Sequence, residues 1–335
     1  MKFELNSKHF EKFAQFKGAT ILTFTQDAFK AQCRIGGMYL QVTSPIKNVT
    51  GYTGKTIELS NFSSLALVTS EVYDATVEIA NGTFKVSVAG STVSLLYTEV
   101  EEYEQLEEIN DGAKGKLDIS SKYFMSVLRN AIAYQQDLQL PSNLIVEFKD
   151  GYADIIGVSY VLRVFVGNVP DCAMSIKDLL AALSILSTDA EIIVNGGSIH
   201  FVTEDARAIV TRTNPVATFD TSELYQKGKD EGKCTLTKSL DTSVALMLKL
   251  IKVPTSVVLR FADDYFGIDC FTADVQISAE TVGESHSTGV SNNFVKFVTK
   301  LFRPSKEYPV DIEWGGGYLC ISTPTVILLT YAPVF

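Results

Sequence analysis

Few residues of this chain carry the spacing of reactive chemistry. Gly51-Tyr-Thr-Gly54-Lys55-Thr56 ends like a phosphate-binding loop, in which backbone N–H groups cradle phosphates and a lysine reaches them. That loop needs a glycine at position 49 and a helix directly after the threonine. Position 49 is Val49, and Ile57-Glu-Leu-Ser reads as strand, so nucleotide binding is not expected. His9, His200 and His286 fall on a helix, a strand and a loop, with no metal-ligand spacing among them. Asp263-Asp264 sits in a hairpin turn, where aspartate serves the local backbone, and Gly315-Gly316-Gly317 is a turn. No nucleophile, base and orienting group come together. The expectation is a protein that is not an enzyme and holds no metal and no cofactor.

Cations are the exception. Lys8, Lys12, Lys122, Arg129, Lys238, Lys249, Lys252, Lys296, Lys300 and Arg303 fall on the polar faces of four amphipathic helical patterns, beside only Glu11 and Asp241. The chain as a whole is acidic, with 39 Asp and Glu against 29 Lys and Arg, a net charge of −10. Averaged over its surface it repels nucleic acid. Cations gathered on helices of such a chain point to a local surface that meets phosphate.

The elements that carry these helices recur. Pro309 to Phe335 reads as three short strands, VDIEW, YLCIS and VILLTYAPVF, with glycines in the first turn. The same unit occurs at Ala75 to Val100 around Asn81-Gly82, and at Ala190 to Pro215 around Asn195-Gly196-Gly197. Asn-Gly between alternating apolar runs is a strong hairpin signal, since a type I′ turn needs positive φ at both central residues. A helical pattern precedes each copy. Ser121-Lys-Tyr-Phe124 echoes Ser7-Lys-His-Phe10, displaced by 114 residues. Phe10, Phe13 and Ala14 form the apolar face of the first helix, Phe124, Val127, Leu128 and Ala131 that of its counterpart, and Phe294, Phe297, Val298 and Leu301 that of the last. Glu99 to Asp111 holds seven acids and no base, and reads as a solvated linker. The spacing predicts three domains, 1–112, 113–220 and 221–335, in an α+β fold with helices packed on one face of antiparallel sheets.

Bulk composition agrees. The chain has 335 residues, too many for one ordinary core. Hydrophobic residues make up 46% and charged residues 20%, as in globular proteins. The N-terminus lacks the apolar core of a signal peptide, and no apolar run is long enough to span a bilayer. Five cysteines without a C-x-x-C pair fit a reducing cytoplasm. Three Asn-x-Ser/Thr sequons, at Asn48, Asn61 and Asn81, read as chance without secretion.

The arrangement resembles the bacterial DNA sliding clamp, the DNA polymerase III beta subunit family. The resemblance covers the whole chain, most specifically TGVSNNFVKFVTKLFRPS, the hairpin after it, and the closing strand with Tyr331-Ala-Pro-Val-Phe335. It implies three repeated clamp domains and a head-to-tail homodimer, a closed ring that encircles duplex DNA with helices inside and acts as a polymerase processivity factor in the cytoplasm, at the nucleoid. Twelve helices at about 10 Å spacing would leave a hole of roughly 28 Å, wide enough for a duplex. The ten cations would line that hole and touch phosphate without reading sequence. The resemblance also implies a pocket for short peptides of the polymerase and clamp loader, at Gly157, Ser159, Leu162, Tyr331, Ala332, Pro333, Val334 and Phe335. The 158–162 segment lacks the Asp-Gly-His-Arg-like run common in bacterial members, and Ala332 and Val334 stand where larger apolar residues are usual. The chain therefore reads as a divergent member, of the kind a phage or mobile element carries. The other reading of the same pattern is a non-enzymatic structural or adhesin-like repeat protein, such as a phage virion component.

Overall fold

The computed structural model describes residues 1–68, 74–106, 111–186, 190–214, 221–227, 229–237, 256–270, 273–302 and 307–331. Antiparallel strands dominate it, as the alternating apolar pattern dictates. The first run is β1 (Lys2–Asn6), a 3-10 helix (Ser7–Gln15), β2 (Thr20–Phe24), β3 (Ala28–Ile35), β4 (Met38–Pro45), β5 (Lys47–Thr50), β6 (Ile57–Leu59), a second 3-10 helix (Phe62–Val68), β7 (Asp74–Ala80), β8 (Thr83–Val88) and β9 (Ser91–Glu99). The same order returns as β10 (Ala113–Lys116), α1 (Ser121–Asp137), β11 (Ile145–Lys149), β12 (Tyr152–Ile156), β13 (Tyr160–Phe165), β14 (Cys172–Ser175), α2 (Ile176–Ile185), β15 (Glu191–Asn195), β16 (Ser198–Val202) and β17 (Ala206–Thr211). A short helix, α3 (Thr221–Lys227), leads to the third run. This comprises β18 (Gly232–Leu236), β19 (Ser256–Ala262), β20 (Tyr265–Cys270), β21 (Ala273–Ser278), β22 (Glu280–Gly283), β23 (His286–Ser291), α4 (Asn292–Leu301), β24 (Val310–Gly315), β25 (Tyr318–Ser322) and β26 (Val326–Tyr331).

The chain divides into two compact units, residues 1–125 with 167–214 and residues 126–166 with 215–335. In the first, one sheet runs β10-β15-β16-β17-β4-β3-β2-β6-β9-β8-β7-β1-β5. Its first helix is 3-10, not the α-helix that a face of Phe10, Phe13 and Ala14 implies. The cause is in the spacing. Phe10, Phe13 and Phe16 are all fully buried. Residues three apart eclipse when a turn holds three residues, so a 3-10 helix aligns all three rings where an α-helix would splay them. Phe13 packs at 4.7 Å from Phe62 and 5.3 Å from Phe16. Helix α2 starts where the Ser175 hydroxyl accepts from the Lys177 N–H at 3.2 Å, and it buries Ile176, Leu179, Ala182 and Leu183.

In the second unit one sheet includes β11-β12-β13-β26-β25-β24-β18-β22, and a smaller one runs β21-β20-β19-β23. Trp314 stacks on Phe261 at 4.8 Å. Gly232 leaves room for the indole, because a Cβ there would lie 2.2 Å from it.

Among the described residues each unit contains one seam where strands of successive runs pair. In the first unit β17 pairs β4, with Ala206 opposite Val42 and Ile209 opposite Tyr39. In the second β26 pairs β13, with Val326 opposite Val164 and Leu329 opposite Val161. The seams match beyond their ends: the Thr43 N–H donates to the Asp205 carbonyl at 2.7 Å, and the Phe165 N–H to that of Thr325 at 2.9 Å.

Candidate nucleic-acid and peptide interfaces

Helix α1 runs 17 residues on a good apolar stripe, with Phe124, Val127, Leu128 and Ala131 buried as the period demands. Its polar face leaves Lys122 and Arg129 exposed. Helix α4 begins where the Ser291 hydroxyl caps it by accepting from the Phe294 N–H at 3.0 Å. It buries Phe294, Val295, Phe297 and Val298, and leaves Lys296 and Lys300 exposed. In the second unit the two helices pack together. Tyr134 stacks flat on Phe297 at 4.4 Å, and Asn293 donates to the Asp137 carbonyl at 3.2 Å. These contacts advance along one helix as they retreat along the other, so the helices are antiparallel. Arg129, five residues before Tyr134, then lies about 8 Å along the axis from the stack, at the height of the last turn of α4, where Lys300 lies. The fold thus gathers Arg129, Lys296 and Lys300 on one helix pair, and α4 contains no acid.

Lys12 differs. Its ammonium pairs with the Asp205 carboxylate, and its side chain is only 16% exposed. That charge is neutralised inside the first unit, and Thr203 donates to the same carboxylate at 3.0 Å. Lys8 lies in the first 3-10 helix, but its side chain is outside the described residues, as are Lys238, Lys249, Lys252 and Arg303.

Of the residues expected to bind peptide, Gly157 and Ser159 lie in the second unit where β12 turns into β13, and Tyr331 ends β26. Gly157 is required by space: a Cβ would lie 2.4 Å from the Tyr160 ring and 2.6 Å from the Gln135 amide. The Ser159 carbonyl accepts from the Thr330 hydroxyl at 3.1 Å and the Tyr331 N–H at 3.4 Å, which ties the turn to the end of β26. Val158 is 73% exposed and Tyr331 62%, an apolar pair standing in water at that place. Tyr331 also meets Tyr318 edge-on at 5.7 Å. Leu162 does not lie in the turn. It is inside β13, opposite Leu328, and fully buried, because even-numbered residues of β13 face the core. Ala332, Pro333, Val334 and Phe335 are outside the described residues.

Sequence reasoning missed the support behind this site. Arg163 grips Asp154 through two hydrogen bonds of 2.8 Å and lies 4.7 Å over the Tyr225 ring. Tyr225, from α3, packs with Val161, Cys320 and Leu329 against the odd-numbered face of the β13–β26 seam. Burial pushes its phenol well above the usual range. The signal was available: Asp154 and Arg163 occupy directly opposed positions of the β12–β13 hairpin.

Among the described residues one serine comes within hydrogen-bond distance of a histidine. The Ser198 hydroxyl lies 2.8 Å from His200 Nε2, but Arg207, not a carboxylate, donates toward Nδ1 at 3.4 Å. With Nδ1 accepting, Nε2 carries the proton and cannot take one from the serine. Burial, then the Arg207 charge, lowers the pKa of His200 to about 4.

No family model matches the chain, and no curated protein matches it. Solved structures do. The DNA polymerase III beta subunit of Thermotoga maritima superposes with a TM-score of 0.72 at 8% identity, over 100% of this chain and 99% of that one. That of Borrelia burgdorferi, solved with a natural product, gives 0.72 at 11% identity over 100% of both chains. The chain has the fold of the DNA polymerase III beta subunit. The Helicobacter pylori beta clamp, solved with a DNA ligase peptide bound, gives 0.70 at 10% identity, again over 100% of both chains. Within the beta-clamp fold, Arg129, Lys296 and Lys300 sit on helices, and Val158, Ser159 and Tyr331 at a strand seam.

Proposed function

We propose that this protein is a sliding clamp, a DNA polymerase processivity factor with no catalysis of its own, built of three domains at 1–112, 113–220 and 221–335. The observation that carries this reading is the agreement of fold over the whole of both chains with DNA polymerase III beta subunits. Two copies form a closed ring in the cytoplasm around duplex DNA. A clamp loader places it there, and polymerase and other replication proteins dock by short peptides. The threefold order of elements supports the domain division. The cation group on α1 and α4 supports a phosphate-facing surface, since sparse lysine and arginine contacts hold a duplex without reading it. The exposed Val158 and Tyr331 support peptide docking: an extended segment with apolar anchors gains by covering them, and the Helicobacter pylori relative was solved with a peptide bound.

Negative-stain imaging of the purified protein tests the reading. Six-lobed rings with a central hole are expected. Elongated or single compact particles that persist at high protein concentration would turn the assignment toward a structural repeat protein.

A further inference from the structure

Among the described residues, helix α1 buries a side-chain amide that no hydrogen bond meets. Gln135 follows Tyr134, the residue that stacks on Phe297, and its side chain is fully buried. Neither its amide oxygen nor its amide nitrogen has a partner within hydrogen-bonding geometry. The Tyr160 phenol stands nearby, but its hydroxyl donates to the Ala131 carbonyl at 3.3 Å. A primary amide carries two donors and an acceptor, and each one left unmet in the interior destabilises the fold. An unmet group held in that way calls for an explanation, and a partner that arrives only in another state is one.

What faces the amide is the turn between β12 and β13. A Cβ on Gly157 would lie 2.6 Å from the amide nitrogen, so the glycine backbone lies against it. The turn is tied at both ends. The Gly157 N–H donates to the Tyr160 carbonyl at 2.9 Å, and the Ser159 carbonyl is held by Thr330 and Tyr331. Between these ties the Gly157 carbonyl and the Val158 N–H make no backbone hydrogen bond among the described residues. Gly157 is partly exposed and Val158 stands in water, so solvent reaches that peptide unit.

We infer that Gln135 is a positioning residue for this turn: when a peptide covers Val158 and Tyr331, the peptide unit between Gly157 and Val158 rotates inward and is met by the Gln135 amide. This rests on the proposed peptide docking and adds a conformational step to it. A segment lying over Val158 and Tyr331 takes water from the turn, and a backbone carbonyl stripped of water needs another donor. The unmet amide is the donor at hand. Glycine permits the rotation, because without a Cβ it crosses backbone conformations that other residues avoid. Rotation of the amide presents either its nitrogen or its oxygen, so it can meet the carbonyl or the N–H. The same amide thus destabilises the free protein and stabilises the docked one.

Gln135→Met separates this role from a structural one, since methionine keeps the volume and removes both polar groups. In urea unfolding without peptide, the midpoint of the variant is expected to rise, because the unmet groups are gone. Affinity is measured on a synthetic array of extended peptides, each with two apolar anchors at varied spacing. For those that bind the unsubstituted chain, the variant is expected to bind about tenfold more weakly, the worth of one hydrogen bond. A looser core would lower midpoint and affinity together. Unchanged affinity overturns the positioning role and leaves the docking reading standing. A midpoint that does not rise means that the amide is already satisfied in the free protein, and also overturns the role. An array in which no peptide binds the unsubstituted chain overturns the docking reading and this inference with it.

Discussion

Lys12 and Lys296 look alike in the sequence, each a lysine on the polar side of an amphipathic segment. Only tertiary structure separates them: Asp205, 193 residues away in the chain, neutralises the first. Charge reversal of Lys296 and Lys300 is therefore expected to weaken retention on DNA without unfolding the protein, while Lys12→Gln leaves retention unchanged and lowers stability. Retention on a nicked circle and the urea midpoint of each variant check this, and equal losses of retention would remove the distinction. His200 makes a pH prediction. Its folded pKa of about 4 lies below the ordinary 6.5, so the unfolded chain binds the extra proton first. Stability from this group is complete above pH 6.5 and is lost as pH falls toward 4. His200→Phe should flatten that part of the dependence of the urea midpoint on pH, and an unchanged slope would assign the loss to other groups.

Among the elements, the long periodic segments were legible: α1, α2, α4 and the glycine hairpins stand where their apolar periods and caps put them. The four-residue strands β5, β10, β14 and β22 were not. Lys47-Asn-Val-Thr50 and Ala113-Lys-Gly-Lys116 have too few apolar residues to alternate, and they are strands because neighbours offer hydrogen bonds. The 3-10 geometry at Ser7–Gln15 was written in Phe10, Phe13 and Phe16, a spacing of three that an α-helical reading passes over. Phe13 contacts four other rings. Phe13→Ala is expected to cost about 3–5 kcal/mol, as aromatic truncations in packed cores do, whereas Ser291→Ala should cost about 1 kcal/mol through the lost cap. Denaturant titration measures both, and similar small losses would mean that the phenylalanine cluster collapses around the gap. The placement of the residues proposed for peptide docking was half legible. Their exposed turn and strand end were visible in the sequence, but the sense of Leu162 depended on which face of β13 the sheet buries.

For the molecule as a whole, a net charge of −10 and a cationic helix pair set opposite demands, and salt tells them apart. If Arg129, Lys296 and Lys300 of two copies each neutralised one phosphate, the affinity would fall with a logarithmic salt slope of roughly −5. A protein holding DNA by those contacts alone would leave any DNA near 1 M salt, where screening acts within about 3 Å. A ring does not depend on them once closed. Protein concentrated from dilute monomers in the presence of a nicked circle is therefore expected to stay with that circle through gel filtration at about 1 M salt, because its hold is topological. Cutting the circle with a restriction enzyme should release it. Loss from intact and cut DNA at the same salt would show a surface binder, and would remove the encircling role even if rings are seen in images.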